Sequence, residues 1–342
     1  MRLKRALCFD DVLLVPQYSE VESRNGIDCR SELNMLRHFR LPIISSPMDT
    51  VTEYKMAIAM GHAGGLGIVH RYNNSRDQAD LVRRAKDEGA GSIGAAVGVS
   101  GDYLERARML LDEGCDVICV DVVHGHHTLV RHALKVLRNS LGYNFHIMAG
   151  NVATLEGFND LADWGANSVR VGIGGGSICS TRVQTGHGVP TFQSILDCST
   201  SDRDVNLIAD GGIRNSGDMV KALAAGADFV MVGSLFAGTI ESPGDIIYGT
   251  DGVPTKVYRG MASKEAQIDW RGHVSSVEGV SSLVPCQGSA RDVLDELTVG
   301  LKSGLSYSGA TTISDLQALS KFVVQTSSGR GESEPHILKS NI

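Results

Sequence analysis

The sequence predicts a (β/α)8 barrel, and three observations carry that expectation. Short Val- and Ile-rich runs recur eight times, each followed by an amphipathic or loop segment. The runs are near-continuously apolar rather than alternating, as strands buried on both faces of a parallel sheet are. Eight βα units in about 200 residues suit a closed barrel better than an open doubly wound sheet. Forty glycines fall between the runs without a triplet period, which fits many tight βα turns and excludes collagen.

The elements follow in order. LPIISS (41–46) reads as a strand, followed by a helix over 52–63 and a second strand, GLGIVH (65–70). A helix over 75–88 leads to SIGAAVG (92–98), and Leu104, Ala107, Leu110 and Leu111 then repeat at helical spacing. DVICVDV (116–122) precedes a helix over 127–139. FHIMAGN (145–151) precedes one through Leu155, Phe158, Leu161 and Ala162. NSVRVGI (167–173), VNLIAD (205–210) and DFVMVGS (228–234) complete the strands. Residues of about 250–285 break the rhythm with a polar, Gly- and Ser-rich stretch too long for an ordinary βα loop, so a mobile lid is expected there. Helices over 289–303 and near 312–320 close a single catalytic domain of residues 1–325. The tail, 326–342, is polar and expected to be loose.

Composition narrows the function classes. A net charge of −7 offers no basic excess to neutralise nucleic-acid phosphates, although it leaves room for a local anion pocket. No apolar stretch approaches the roughly 20 residues of a membrane helix, and MRLKRALCFDD lacks the apolar core of a secretion signal. Seven scattered cysteines, an odd number with no zinc-like spacing, suit neither a disulfide scaffold nor a metal site. A soluble, cytoplasmic protein acting on a small molecule is the expectation.

Strand ends are where barrels of this kind keep their chemistry. GIGGGSICSTR (172–182) follows the sixth strand with four glycines among the five residues before Ser177, which lets the backbone approach a ligand and turn its N–H groups toward an anion. Cys179 in that loop is a candidate nucleophile. In IADGGIR, Asp210 ends the seventh strand and is followed by Gly211 and Gly212; Gly233 and Ser234 end the eighth. The loops after strands seven and eight form the usual phosphate site of this fold, and a carboxylate such as Asp210 suits ribose hydroxyls.

These segments resemble the family of inosine monophosphate dehydrogenase and guanosine monophosphate reductase. FDDVLLVP (9–16), SSPMDTVTE (45–53), DVVHGH (121–126), AGNVAT (149–154), GIGGGSICSTR, IADGGIR, VGSLFAGTIESPG and YRGMAS (258–263) match in order. One departure is Gly175, where the family usually has proline. The resemblance implies that Cys179 attacks purine C2 to form a thioimidate, with Thr181 and Glu278 handling protons. It implies that Ser177, Gly212, Gly233, Ser234 and Tyr258 hold the 5′-phosphate and Asp210 the ribose. Backbone groups of Met261 and Ala262 would read the purine edge, with Gly211, Gly260 and Gly279 beside them. Asp121, Val122, Val123, Ile173 and Gly174 would bind the cofactor, with Arg71 on a 2′-phosphate and Ser23 and Arg24 at the cofactor's far end. A monovalent cation such as K+ would sit on Gly174, Gly176, Cys179 and Arg182, and the family resemblance suggests a homotetramer.

Two activities branch from this chemistry. The dehydrogenase oxidises IMP with NAD and activates water with an Arg-Tyr pair on a long flap. Here Lys264 to Val277 holds no such dipeptide, because Gly272 follows Arg271. The reductase protonates departing ammonia instead, a task that resembling sequences give to a Thr–Glu pair matched by Thr181 and Glu278. Ser23–Arg24, Arg71 and Thr185 also lean toward the reductase, whereas SSPMDTVTE looks more like a dehydrogenase. No tandem regulatory insertion separates His70 from the strand at 92–98. The sequence therefore predicts NADPH-dependent reductive deamination of GMP to IMP. An IMP dehydrogenase lacking its regulatory domain is the alternative, and a non-catalytic nucleotide-binding barrel the third reading.

Overall fold

A computed structural model describes residues 3–34, 38–249 and 252–333. The eight expected runs form a closed parallel barrel: β1 (Ile43–Ser45), β2 (Leu66–Val69), β3 (Ile93–Val97), β4 (Val117–Asp121), β5 (His146–Val152), β6 (Ser168–Val171), β7 (Asn206–Asp210) and β8 (Phe229–Val232). They pair in chain order, and β8 closes on β1 with Val230 opposite Ile43. Each helix packs outside the strand it follows: α1 (Tyr54–Ala63), α2 (Ser75–Asp87), α3 (Tyr103–Asp112), α4 (Thr128–Leu141), α5 (Leu155–Asp163), α6 (Thr191–Cys198), α7 (Ser216–Ala224) and α8 (Ala290–Tyr307). Only five residues join α2 to β3, so nothing is inserted there.

Local chemistry sets the helix starts. Asn74, Thr154, Asn215 and Ser289 each accept a backbone N–H of the first turn, satisfying a donor that the helix itself leaves open. Helix α8 runs four residues past the expected 303 because Leu301 and Leu305 continue its buried stripe. Inside the barrel, Ile44, Leu66, Ile68, Ala96, Val117, Cys119, Met148, Ile208, Phe229 and Met231 form a packed core, not a pore. Leu33 and Phe39, from a hairpin pairing Ser31–Glu32 with His38–Phe39, plug its lower end. There Phe39 meets Phe229 edge to face at 5.7 Å.

The 250–285 stretch is more ordered than a loop. Ile247–Tyr248, Pro254–Arg259 and Ser281–Pro285 make a three-stranded antiparallel ribbon, and a helix, Lys264–Arg271, rides on it. Residues 250 and 251 lie outside the described set. The tail also departs from expectation at its start. Thr326 caps a short helix, Ser327–Glu332, and Arg330 pairs with Asp10 at 2.9 Å. The rest of the tail, from 334, is outside the described residues. Among those described, no helix is long and apolar enough to cross a membrane.

Candidate active site

The loops leaving the C-terminal ends of the strands, together with the ribbon, enclose a cavity of about 250 Å³. The β6 loop supplies the largest share, from Gly172 to Thr181. Its backbone passes so close to β7 that a Cβ on Gly172 would stand 1.9 Å from the Asp210 carbonyl oxygen, and Gly172 holds φ at +145°. Only glycine meets both demands.

Cys179 lies exposed at the rim, and its Sγ donates to Thr181 Oγ1 at 3.2 Å. The lid joins this loop through its main chain. Ser180 N donates to the Glu278 carbonyl at 2.9 Å, and Cys179 bridges Gly279. The Glu278 side chain borders the same cavity, but its carboxylate accepts from Ser276 Oγ at 3.2 Å. The structure thus brings Cys179, Thr181 and Glu278 to one cavity without a direct Thr181–Glu278 relay.

The expected phosphate residues also converge. Tyr258, buried in the ribbon, hydrogen-bonds Ser177. Burial pushes its phenol up to about 12, so it remains a donor near neutral pH. A Cβ on Gly233 would lie 3.0 Å from that hydroxyl, and one on Gly211 would lie 3.1 Å from Gly176 N. Three glycine-rich turns and a tyrosine hydroxyl therefore surround one small volume, bordered by Gly212 and Ser234. Met261, Ala262 and Gly260 face it from the ribbon's turn.

Asp210 does not stand alone. Arg170 on β6 donates to Asp210 Oδ2 at 2.8 and 3.1 Å and to Asp121 Oδ1 at 2.6 Å, while Asn151 Nδ2 donates to Asp210 Oδ2 at 2.7 Å. Burial opposes charge on Arg170, but Asp210, Cys119 and Asp121 raise it well above the ordinary range, so the guanidinium stays charged. Sequence reasoning passed over this residue inside NSVRVGI. Its signal was available: a lone charge in an apolar strand must find partners.

On the cofactor side, Asp121, Val122, Val123, Ile173 and Gly174 line the main cavity. A second cavity of about 330 Å³ opens beside it, and Arg71, Tyr72, Val122 and Val123 border both. Arg71 donates to the Asp121 carbonyl at 3.2 Å and lies 3.6 Å from its carboxylate, while its buried Nε has no hydrogen bond. That Nε is the atom facing the Asp121 carboxylate, so Asp121 holds the guanidinium in the wall between the two cavities. Ser23 and Arg24 are not brought there: they begin a short turn, Arg24–Gly26, that packs on α8 and borders neither cavity.

Carbonyls expected to hold a cation, those of Gly176 and Arg182, already take part in the loop's own hydrogen bonds. The Arg182 guanidinium donates to the Ile173 and Val189 carbonyls at 3.2 and 2.7 Å, and its own carbonyl accepts from Gly186 N. Gly176 O already accepts from Cys179 N at 3.2 Å. The Arg182 guanidinium is thus a cation already bound to two carbonyls of this segment. Among the described residues no cluster of three or more His, Cys, Asp or Glu could hold a metal ion.

The Gly175 departure has a steric basis. A Cβ there would meet Thr191 Oγ1 at 2.3 Å, so the α6 threonine occupies the space a proline ring would need.

Comparison with known proteins agrees with this geometry. A family model described as the IMP dehydrogenase / GMP reductase domain matches residues 6–336. An inosine-5′-monophosphate dehydrogenase of Nitrosopumilus maritimus is 34% identical, with 98% of this chain and 99% of the relative covered. A GMP reductase of Leishmania major is 31% identical, with 98% and 97% covered. The crystal structure of GMP reductase from Trypanosoma brucei in complex with guanosine 5′-monophosphate superposes with a TM-score of 0.93 at 29% identity, covering 98% of each chain. The chain belongs to the IMP dehydrogenase / GMP reductase family of oxidoreductases.

Proposed function

We propose that this chain catalyses the NADPH-dependent reductive deamination of GMP to IMP and ammonia. The observation that supports it most is the meeting of Cys179, Thr181 and Glu278 at a cavity whose far wall is a glycine-rich anion cradle. The Cys179 sulfur adds to purine C2 as a thiolate, and the 2-amino group leaves as ammonia after gaining a proton, which gives the thioimidate. A bound dinucleotide would supply a hydride for C2; the Cys179 sulfur then departs with its electron pair, and IMP results.

The chain's residues have definable tasks in this sequence. Thr181 Oγ1 accepts the Sγ–H and orients the thiol; a neutral hydroxyl can pass that proton on only by giving up its own, so its part is a relay and not a base. Glu278 is the acid for the departing amine, since ammonia is a poor leaving group without a proton. Reaching it requires Glu278 to exchange Ser276 for the substrate. Asp210, held by Arg170 and Asn151, presents a fixed acceptor to a ribose hydroxyl. Arg71, whose guanidinium borders both cavities, is the cation for the cofactor's extra phosphate.

The dehydrogenase reading keeps its weight because relatives of both names match at similar identity. One assay separates the two. NADPH oxidation on addition of GMP, with IMP as product, is the expected result. NAD reduction on addition of IMP, without activity on GMP, would reverse the assignment. Cys179→Ala should lose turnover by at least about 10³-fold and still bind GMP, because the anion and ribose contacts lie on other residues. A variant keeping a tenth of the wild-type rate would remove Cys179 as nucleophile.

A further inference from the structure

The loop after β2, VHRYNN, carries an aromatic group that none of the roles above uses. His70 is buried, and its Nδ1 accepts the Tyr72 backbone N–H at 3.1 Å. Its other nitrogen, Nε2, must therefore carry the proton in the neutral ring and donates to Glu53 Oε1 at 3.2 Å. That pair of bonds fixes where the Tyr72 main chain leaves the barrel. The Tyr72 ring then stacks on Trp270 of the lid helix, with centroids 4.3 Å apart and planes 11° from parallel. Its hydroxyl donates to the Met261 carbonyl at 2.6 Å.

Met261 lies in the ribbon's turn, Gly260–Ser263, on the cavity wall. Two carbonyls of that turn are held from within the lid. Gly260 O accepts from Ser263 N, and Ala262 O accepts from Glu278 N and from Gln267 Nε2. The Met261 carbonyl is held from the barrel by Tyr72. Because a peptide unit is planar and trans, turning Met261 C=O toward Tyr72 turns the Ala262 N–H the opposite way. Ala262 borders the cavity, and we infer that its N–H is the donor offered to a bound base. If that peptide flipped, the same position would show an acceptor.

We propose that Tyr72 is a specificity-determining positioning residue: by locking the Met261–Ala262 peptide, with Trp270 holding its ring, it makes the site accept 6-oxopurine nucleotides and refuse 6-aminopurine ones. This rests on the purine-nucleotide reading above. A 6-oxo group accepts from an N–H, whereas a 6-amino group is itself a donor and would leave two donors facing each other. Burial raises the Tyr72 phenol above its ordinary range, so the hydroxyl stays a donor throughout the working pH. The device is local: the Tyr72 hydroxyl bonds Met261, and Trp270 stacks on the Tyr72 ring.

The test is titration calorimetry of the full-length protein with IMP, AMP and ribose 5-phosphate. Tyr72→Phe keeps the stack and removes only the donor. It should weaken IMP about ten-fold, leave ribose 5-phosphate unchanged, and lower the IMP-over-AMP preference by the same factor. Trp270→Ala should shift the preference in the same direction, and Trp270→Phe should restore it. Unchanged thermal melting of Tyr72→Phe would show that the fold is intact. If Tyr72→Phe kept the wild-type preference, or weakened all three ligands equally, the positioning role would be overturned. A wild-type protein that binds no 6-oxopurine nucleotide would instead overturn the underlying reading.

Discussion

Gly175 shows how one atom decides a loop. Thr191 Oγ1 is buried without a hydrogen-bond partner and stands where a Cβ at position 175 would go. Thr191→Ala alone should be close to neutral in stability, because a hydroxyl with no partner contributes little by being there. Gly175→Ala should destabilise by about 1–3 kcal/mol, as overpacked sites do. The double variant should recover most of that loss. Thermal or urea melts of the four proteins check this, and strict additivity would contradict the steric account. The departure from proline was legible in the sequence, but its partner was not, since position 191 lies beyond the loop on another helix. Arg170 differed. Its charge inside an apolar strand was visible, yet Asp121 and Asp210 could be named as its partners only once the barrel placed three strand ends together.

At the scale of elements, the barrel was readable and the ribbon was not. Strands buried on both faces leave unbroken apolar runs, and all eight fell within a residue or two of expectation. The ribbon strand Pro254–Arg259 does alternate, but its two buried positions are Lys256 and Tyr258. A lysine on the inward face hides the pattern. Its ammonium is satisfied by the carbonyls of Thr239 and Ser242, contacts that no local signal announces. The ribbon is tied to the barrel by Arg259, which donates to Asp49 Oδ2 at 2.6 and 2.9 Å and reaches Asp269 on the lid helix with its other nitrogen. Arg259→Met should therefore loosen the lid more than the barrel. Hydrogen exchange should speed up about ten-fold or more across 254–285 while the amides of β1–β8 keep their protection. Equal acceleration in both regions would mean that Arg259 supports the whole fold.

For the whole molecule, the two ends of the barrel answer to different demands. The lower end is sealed, and His146 is buried there between the Asn34 carbonyl at 2.7 Å and Ser168 Oγ at 2.8 Å. Burial lowers its pKa to about 4. An unfolded histidine takes its proton near 6.5, so between these values the unfolded chain binds more protons than the folded one. Stability should thus fall as pH drops from about 6.5 toward 4. His146→Gln should flatten that part of the melting-temperature profile, and an unchanged slope would assign it to other groups. The upper end is open, and one buried cation spans it. Arg170 holds Asp210 on one side and Asp121 on the other. A ligand that draws on Asp210 changes how much of that shared charge Asp121 keeps for whatever binds beside it. Occupancy of one side then has a free-energy consequence for the other, and linkage makes it mutual: the factor by which the first ligand alters the second's affinity is the factor the second returns to the first.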